Sequence, residues 1–571
     1  MKLLNPNLLI LFCIIILASA LRLYRLDLYP PSLNWDEVSH GYNAYSILTT
    51  GKDEWGRFLP LIFQAFGDYK LPAYIYFTIP FVKILGLNSY SVRLVSSLAG
   101  IGSVIFTYFL TNILISDKKI LKIKNLELKI GHFSALALSL SPWSVFLSRV
   151  AVEANLSSFF IISGAYFFIK GINQKQSQVP KAWGFVISGL LLGLSLFTYN
   201  SARIFTPLLM GLLIYVYRQV FFSHTNARSC SCHLLGLSVF LIFLFGMFYQ
   251  FFSPAGQARL SAISIFDSGS INRINEQRGL STLPNPLPKL IYNKGTHLIF
   301  SSAKNYLSYL SLQFWFFKGG SHYQFNVPGQ GLIYLVNLPW LIIGLFTLFK
   351  FKTKSKWLII GWLLLAPIPA SPTRDNPHTL RIITLIPIPH ILIGIGLFKF
   401  LTFSLKEKYL LLNIIKGLVL TTYILLLLTS VKRFWDNYTL KYAVQYSWSW
   451  QYGYPQVINY LQQHYAQYDR IFFTKKYGEP HEFILFYWPW NPVIYQQSKQ
   501  WDYHANWYWI NGFDKFIFVN DWEIKEKLTT ENPNYKYLLI TSPNNAPDNL
   551  TKIYQINFLD GKSAFEIYEK N

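Results

Sequence analysis

Seventeen mostly apolar residues, 71-LPAYIYFTIPFVKILGL-87, decide the topology of this chain. The segment contains Pro80 and Lys83. As a helix rising 1.5 Å per residue, it would reach only about 25 Å. The hydrocarbon core of a bilayer is about 30 Å thick. We therefore interpret the segment as an amphipathic or re-entrant helix at a membrane interface, and not as a membrane span.

The composition points to a membrane protein. Of the 571 residues, 52% are hydrophobic and only 14% are charged, which is too much apolar surface for one water-soluble globule. The formal net charge of +24 would suggest nucleic acid as the partner of a soluble protein. Here the lysines cluster in short loops between apolar runs, where the positive-inside bias explains them, so we predict no nucleic-acid partner.

Apolar stretches approaching the length that a helix needs to cross a bilayer recur along the first 431 residues. The candidate spans are 7–22, 90–115, 131–148, 152–170, 183–199, 204–222, 234–252, 331–350, 357–371, 380–400 and 410–431. No convincing cleavage site follows the first of them, which we interpret as a retained signal-anchor helix.

The basic loops set the orientation. With 71–87 left out of the count, the lysine-rich loop 116–129 faces the cytoplasm, and so does every later short basic loop. The sequence therefore predicts about eleven spans, a cytoplasmic N-terminus and an extracytoplasmic C-terminus. Two loops, 23–89 and 253–330, and the tail from 432 onward then lie outside.

The tail differs in character from the rest of the chain. It contains short β-like runs at 471–475, 516–520, 537–542 and 563–570, and a helix-like stretch at 455–465. We expect a polytopic α-helical membrane module at 1–431 and a small α/β extracytoplasmic domain at 432–571.

An acidic pair follows the first span, in 33-LNWDEVSHGYNAY-45. Asp36 and Glu37 begin a stretch of helical character that ends at Gly51. Acidic residues are favoured at a helix N-terminus, so a solvated helix start is one interpretation. Neighbouring residues on a helix point about 100° apart, so in the other interpretation one carboxylate faces a cavity and the second braces it.

Cations gather at the outer ends of several spans, against the charge bias. Snorkelling explains a single arginine at such a position. Several outward loops that each bring a cation predict instead a site for an anion at the membrane surface, and a lipid-linked phosphate is such an anion. The outward loops supply Lys70; Arg149 and Glu153, which are four apart and expected on one helix face; Tyr199 and Arg203; and Arg374, Asp375, His378 and Arg381.

The order of these features resembles the GT-C superfamily of polyprenyl-phosphate-sugar-dependent glycosyltransferases. It is similar in particular to the bacterial relatives of the dolichyl-phosphate-mannose protein mannosyltransferases and to the aminoarabinose lipid A transferases. The matching stretches cover roughly residues 1–430: 36-DE-37, 67-GDYKLPAYIYFTIPFVKILGLNSYSVRL-94, 148-SRVAVEAN-155, 197-FTYNSAR-203 and 375-DNPHTLR-381.

The resemblance implies a GT-C fold and transfer of a sugar, with inversion, from a lipid phosphate to an acceptor protein, lipid or glycan outside a bacterial plasma membrane. It implies that Asp36 accepts the acceptor's proton and that Glu37 positions Asp36 or shares its work. It further implies two groups of binding residues. The donor phosphate would meet Lys70, Arg149, Arg203, Arg374, His378 and Arg381, and acceptor or orienting roles would fall to His40, Glu153, Tyr199 and Asp375.

Other classes and a metal stay open at this point. Asp36, Glu37, His40 and Glu153 offer hard ligands for a divalent cation, but nothing in their spacing requires one, so we predict no required cofactor. A multi-span transporter would share the many spans, although it typically shows internal symmetry and polar helices at the midplane. A ligase or polymerase of lipid-linked glycans would share the cationic face but would not need Asp36 and Glu37.

Overall fold

The computed structural model describes residues 6–67, 69–115, 121–123, 126–173, 182–221, 227–253, 265–266, 268–351, 353–403, 410–505 and 507–570. The chain divides into two compact units. Unit 1 contains Met1–Tyr24, Ser96–Ser148 and Glu153–Phe434, and unit 2 contains Arg25–Val95, Arg149–Val152 and Trp435–Asn571. The expected division into 1–431 and 432–571 therefore differs from the observed grouping, because the first outer loop packs with the tail.

Helices account for most of the described chain before residue 436. In chain order the first are α1 (Pro6–Leu23), α2 (Trp35–Thr50), α3 (Pro72–Leu85), α4 (Ser89–Leu114), α5 (Ile130–Leu140), α6 (Pro142–Ser148), α7 (Glu153–Asn173), α8 (Ala182–Leu196), α9 (Asn200–Val216), α10 (Arg218–Phe221) and α11 (Ala227–Phe251). These are followed by α12 (Ser268–Leu280), α13 (Leu287–Ile291), α14 (Lys294–Ser308), α15 (Leu338–Lys350), α16 (Ser355–Leu365), α17 (Ile388–Thr402) and α18 (Leu410–Asp436).

The tail adds shorter helices and most of the strands. Its helices are α19 (Ala443–Gln445), α20 (Tyr454–His464), α21 (Pro480–Tyr487), α22 (Pro492–Ser498) and α23 (Ile524–Thr529). The strands are β1 (Phe63–Gln64), β2 (Tyr69–Lys70), β3 (Leu121–Ile123), β4 (Leu126–Leu128), β5 (Arg470–Thr474), β6 (Gln500–His504), β7 (Trp507–Phe513), β8 (Phe516–Val519), β9 (Tyr537–Thr541), β10 (Thr551–Asn557) and β11 (Ser563–Glu569).

The membrane-spanning capacity lies in helices before the tail sheet. Within the described ranges, five helices are long and apolar enough to cross a bilayer, or six if the bent pair α5 and α6 forms one span. The other candidate spans are apolar helices of 10–17 residues. The eleven spans and their orientation thus stay predictions, and parts of the basic loop 116–129 lie outside the described residues. The segment 71–87 forms α3, whose 14 residues reach about 21 Å.

Two candidate spans differ from expectation because of proline. The expected span 131–148 is broken into α5 and α6, which meet at an angle of 61°, since Pro142 has no N–H to donate to a carbonyl of the preceding turn. The expected span 357–371 ends as a helix at Leu365, ahead of Pro367 and Pro369.

Arg22, at the end of α1 in unit 1, satisfies carbonyl groups at the break between α5 and α6. Its guanidinium is fully buried and donates to the carbonyl oxygens of Leu138 (3.3 Å) and Ser139 (3.1 Å). It also donates to the hydroxyls of Ser144 (2.9 Å) and Ser148 (3.3 Å) on α6. Buried polar groups need such partners, so Arg22 stabilises the broken helix.

Glycines allow two helices of unit 1 to approach closely. A β-carbon at Gly344 on α15 would lie 1.9 Å from the carbonyl oxygen of Leu392 on α17. A β-carbon at Gly396 on α17 would lie 1.9 Å from the carbonyl oxygen of Trp340. Small residues at such a contact let helix backbones meet where lipid supplies no hydrophobic drive for association.

Unit 2 is built on a seven-stranded mixed sheet with the strand order β10-β11-β9-β5-β8-β7-β6. Its centre is parallel, with β5 between β9 and β8, and both flanks are antiparallel. The predicted α/β character of the tail is confirmed, since β5, β8, β9, β11 and α20 fall on the segments expected from the sequence.

The segment after α1 forms α2, which packs on the tail helices α21 and α22. Asn34 caps α2 and Glu37 completes a capping box, and the helix ends at Gly51 with a left-handed φ of 72°. The predicted helix and its glycine stop are confirmed. A β-carbon at Gly41 would lie 2.4 Å from the Phe486 ring, so α2 and α21 are in close contact.

Candidate active site

Asp36 and Lys70 form an ion pair at the start of α2. The Lys70 side chain is 9% exposed and that of Asp36 is 35% exposed. Asp36 lies in the first helical turn, where the helix dipole also favours a negative charge. The pair is therefore a partly open carboxylate with a mostly buried ammonium group beside it.

A two-residue ribbon positions Lys70. Strand β2 pairs antiparallel with β1, and Lys70 stands opposite Phe63. The connecting loop is fixed to the tail sheet at Phe66, whose carbonyl oxygen accepts from the Tyr508 N–H at 2.7 Å and whose ring stacks on Trp507 with centroids 5.8 Å apart. Strand β7 of the tail thus supports the lysine of the ion pair.

Glu37 has a different environment from its neighbour. It is fully buried and forms two hydrogen bonds with Arg93, at 2.9 Å from Nε and 3.1 Å from Nη2. Its Oε1 also accepts from the Ala151 N–H at 2.8 Å, and its Oε2 accepts from the Asn34 N–H at 3.1 Å. Such a carboxylate has no open face for a substrate, and this geometry suits the expected role of Glu37 in positioning Asp36.

Arg149 and His40 occupy buried positions in unit 2. Arg149 is fully buried, donates to the carbonyl oxygen of Arg25 at 3.1 Å and lies over the rings of Trp435 and Tyr438 at 5.4 and 5.7 Å. The expectation that Arg149 and Glu153 share a helix face is wrong, because the residues between α6 and α7 are not helical and Glu153 only begins α7. The His40 ring packs on Tyr74 with centroids 5.1 Å apart.

A second pair of carboxyls lies beside α2. Glu54 and Glu482 are both buried, and Asn43 on α2 donates to Glu54 Oε1 at 3.0 Å. Burial raises the pKa of Glu54 to about 7, and burial together with the charge of Glu54 raises the pKa of Glu482 well above its usual value. Glu54 and Glu482 also interact with each other through a side-chain hydrogen bond, which two carboxyl groups can form only when one of them carries a proton.

Unit 1 contains a cationic cavity of about 230 Å³. It lies among α12, α14 and the loop 373–376, and its lining is Ile265, Ser270, Arg273, His297, Ser301, Asn305, Thr373, Arg374, Asp375 and Asn376. Arg374 and Asp375 were expected from the sequence to belong to a site. Arg273 and His297 were not expected, and they lie on α12 and α14.

Arg381 supports the wall of this cavity. Arg381 donates to the Arg374 carbonyl oxygen and, at 2.8 Å, to the Thr373 hydroxyl. Its Nη2 is 3.9 Å from Asp375, whose side chain is 70% exposed, so that ion pair contributes little. The His378 ring packs beside His322 at 5.7 Å.

Glu153, Tyr199 and Arg381 interact electrostatically in unit 1, so three of the expected residues are brought together. Arg203 is engaged elsewhere: its Nε donates to the Leu196 carbonyl oxygen at 3.1 Å and its Nη2 donates to Gln250 on α11. These bonds link α9 to α8 and α11, so the guanidinium group of Arg203 stabilises the packing of helices.

Within the described part of the chain, no group of three or more His, Cys, Asp or Glu side chains is arranged to hold a metal ion. Asp36 and Glu37 each face a cation instead. The expectation that no cofactor is required stays a prediction.

Comparison of the sequence with protein-family models gives no match, and no curated protein matches it. Solved structures do match. ArnT from Cupriavidus metallidurans bound to undecaprenyl phosphate is 13% identical with a TM-score of 0.52, covering 98% of this chain and 97% of that one. The same protein in its apo state is 12% identical with a TM-score of 0.52, at the same coverage of both chains.

The resemblance expected from the motifs is confirmed for the fold. The chain shares the fold of ArnT over nearly its whole length. At this level of identity the likeness is one of fold.

Proposed function

We propose that this protein is an inverting glycosyltransferase that moves a sugar from a polyprenyl-phosphate donor to an acceptor on the outer face of a bacterial plasma membrane. The observation that carries the proposal is the Asp36–Lys70 pair, an open carboxylate beside a buried ammonium group. The fold that the chain shares with ArnT, crystallised with undecaprenyl phosphate, supports a lipid phosphate as the donor. It also favours a transferase over a transporter.

The proposed reaction is one displacement at the anomeric carbon. The acceptor's nucleophilic atom forms a bond to that carbon while the bond from carbon to phosphate oxygen breaks. The acceptor's proton passes to the Asp36 carboxylate, and the bond's electron pair leaves with the lipid phosphate. Because phosphate is already a competent leaving group, no second carboxylate is needed as an acid, unlike in glycoside hydrolysis.

Lys70 has two partners over this cycle. In the free protein its ammonium group is paired with Asp36. When the donor binds, its phosphate competes for the same ammonium group, which frees Asp36 to accept a proton. Lys70 then stabilises the charge that develops on the departing phosphate. Glu37, held by Arg93, fixes the first turn of α2 and so the position of Asp36.

The cationic cavity of unit 1 is proposed as a second candidate site for the phosphate of the lipid donor. Arg273 and Arg374 line it together with His297, and arginine suits phosphate oxygens because its planar fork can donate two bonds at once. Arg381 and His378 are proposed to hold the loop that carries Arg374.

The test is transfer of a labelled sugar from a synthetic polyprenyl-phosphate-sugar to membrane acceptors by the purified protein in nanodiscs. Asp36→Asn is expected to abolish transfer, whereas Asp548→Asn, which changes an exposed carboxylate of the same unit, is expected to keep it. Absence of transfer from every polyprenyl-phosphate donor, with transport of the intact lipid instead, would overturn the proposal.

A further inference from the structure

An aromatic cluster of unit 2 has no role in the reaction proposed above. It consists of Trp55, Tyr69, Trp501, Tyr503 and Tyr508, and we refer to it as the aromatic platform. Trp55 meets Trp501 edge-on at 5.5 Å and Tyr508 at 5.6 Å, and Tyr503 lies 4.6 Å from Tyr508. The rings therefore form one continuous surface.

The outer part of the platform is open to solvent. Trp501 and Tyr503 lie on β6, which is an edge strand of the seven-stranded sheet, and they are 50% and 52% exposed. Because alternate residues of a strand share a face, both rings point to the same side. A contiguous exposed apolar patch rimmed by polar groups is typical of a binding surface.

The platform extends to the β1–β2 ribbon. The Tyr69 hydroxyl lies 3.0 Å from the Tyr508 hydroxyl, within hydrogen-bond distance. Tyr69 is the residue before Lys70 in β2, and Lys70 contacts Asp36. Neighbouring residues of a strand point to opposite faces, so the Tyr69 ring and the Lys70 side chain lie on opposite sides of the ribbon.

We infer that the aromatic platform binds a glycan chain. This inference goes beyond the proposed function, and the binding does not depend on catalysis. A pyranose ring has a face of C–H groups and a rim of hydroxyls. The C–H face suits the negatively polarised face of an aromatic ring, and the hydroxyl rim suits the tyrosine hydroxyls beside it.

Two other occupants fit the surface less well. The unpaired backbone groups of an edge strand cannot enter hydrocarbon, so β6 is not a membrane-inserting element. An extended peptide would have to add to β6 as a new strand, but β6 has only five residues and carries the charged Asp502 at its centre. Charged and short edge strands resist such pairing.

The experiment is calorimetric titration of the full-length protein in nanodiscs with mannotriose and with chitotriose, using Asp36→Asn as the background so that transfer cannot occur. At least one trisaccharide is expected to bind saturably. Trp501→Ala and Tyr503→Ala are each expected to weaken binding about tenfold, and Trp501→Phe is expected to weaken it less. Trp522→Ala, which removes a tryptophan that is 81% exposed elsewhere in unit 2, serves as the matched control and is expected to leave binding unchanged.

Absence of saturable binding of both trisaccharides would overturn the inference, and so would equal binding by Trp501→Ala, Tyr503→Ala and the control. Binding of a strand-forming peptide that is lost in the same two variants, without trisaccharide binding, would also overturn it. Trisaccharide binding in a protein that transfers no sugar would contradict the proposed function but not the inference that the aromatic platform binds a glycan.

Discussion

Glu37 and Arg93 form a buried ion pair in which both side chains are fully hydrogen-bonded. Besides its two bonds to Glu37, Arg93 donates from Nη1 to the carbonyl oxygens of Leu26 (2.9 Å) and Pro30 (3.0 Å), and from Nη2 to that of Ser32. The pair therefore links the chain before α2, the start of α2 and the start of α4 at one point. The position of Asp36, the residue before Glu37, depends on it.

Removing one partner of this pair leaves a buried, uncompensated charge. Arg93→Met is expected to lower the free energy of unfolding by about 3–5 kcal/mol, measured by thermal unfolding in detergent. The double variant Glu37→Gln and Arg93→Met is expected to be more stable than Arg93→Met alone. A double variant that loses as much as the sum of the two single changes would show that the residues are not coupled.

Gly67 lies in the loop that connects β1 to β2 and has no room for a side chain. A β-carbon there would lie 2.1 Å from the Trp507 ring. Gly67→Ala is expected to displace the ribbon that carries Lys70. The transfer rate is therefore expected to fall while the protein still folds. Gly211→Ala, with no atom within 4 Å of the added carbon, is the control and is expected to keep full activity. Unchanged kcat and KM in Gly67→Ala would contradict the supporting role of β7.

The buried carboxyls Glu54 and Glu482 predict a pH dependence of stability. Both carboxyls hold their protons more tightly in the folded protein than in the unfolded chain, because burial raises the pKa of Glu54 from 4.5 to about 7 and raises the pKa of Glu482 well above 4.5. Their contribution to stability is therefore fully present below pH 4.5 and is lost as the pH rises through the folded pKa values. The groups facing them are Asp53, Glu479, His481 and Lys499.

Glu482→Gln replaces one of the two carboxyls with an amide that does not titrate. We expect the difference in unfolding temperature, variant minus unaltered protein, to increase as the pH rises from 4.5 to about 7. The measurement is a series of thermal unfolding curves in detergent across that range. A constant difference at every pH would mean that the cluster stays ionised in the folded protein.

Arg273 and Arg374 line the cationic cavity and are expected to act on donor binding. Single changes to glutamine should raise KM for the lipid donor about tenfold, with a smaller effect on kcat. Lys304→Gln removes an exposed cation from α14, outside the cavity lining, and should leave both constants unchanged. Equal effects of all three substitutions would indicate a general loss of positive charge and not a site.

Local sequence signals predicted the elements that position Asp36. The carboxylates at the start of α2 and the glycine at its end are read from neighbouring residues, as are the β-rich runs of the tail sheet. The break between α5 and α6 was missed because hydropathy over a long window is insensitive to one residue such as Pro142. Strand β7 was missed because its aromatic run does not alternate with polar residues, and β6 was missed because its alternation covers only five residues.

The partners of the expected site residues depend on contacts between distant parts of the chain. The packing of α2 on α21 at Phe486, and the support of Phe66 by Trp507, join the first outer loop to the tail, and no local pattern encodes either contact. Arg93 lies at the end of a candidate span, as several of the expected arginines do, but it was not among the expected site residues. Arg273 and His297 lie in a polar helical loop whose sequence gives no such signal.

The role of Asp36 as the proton acceptor is tested most directly by single-turnover transfer with saturating acceptor, run alongside equilibrium binding of the lipid donor. Asp36→Asn keeps the size of the side chain and removes its charge. We predict that Asp36→Asn binds the donor at least as tightly as the unaltered protein, because Lys70 loses a competing partner, while the rate of sugar transfer falls at least about 100-fold. A transfer rate within a factor of about two of the unaltered protein, with the donor bound normally, would contradict the account.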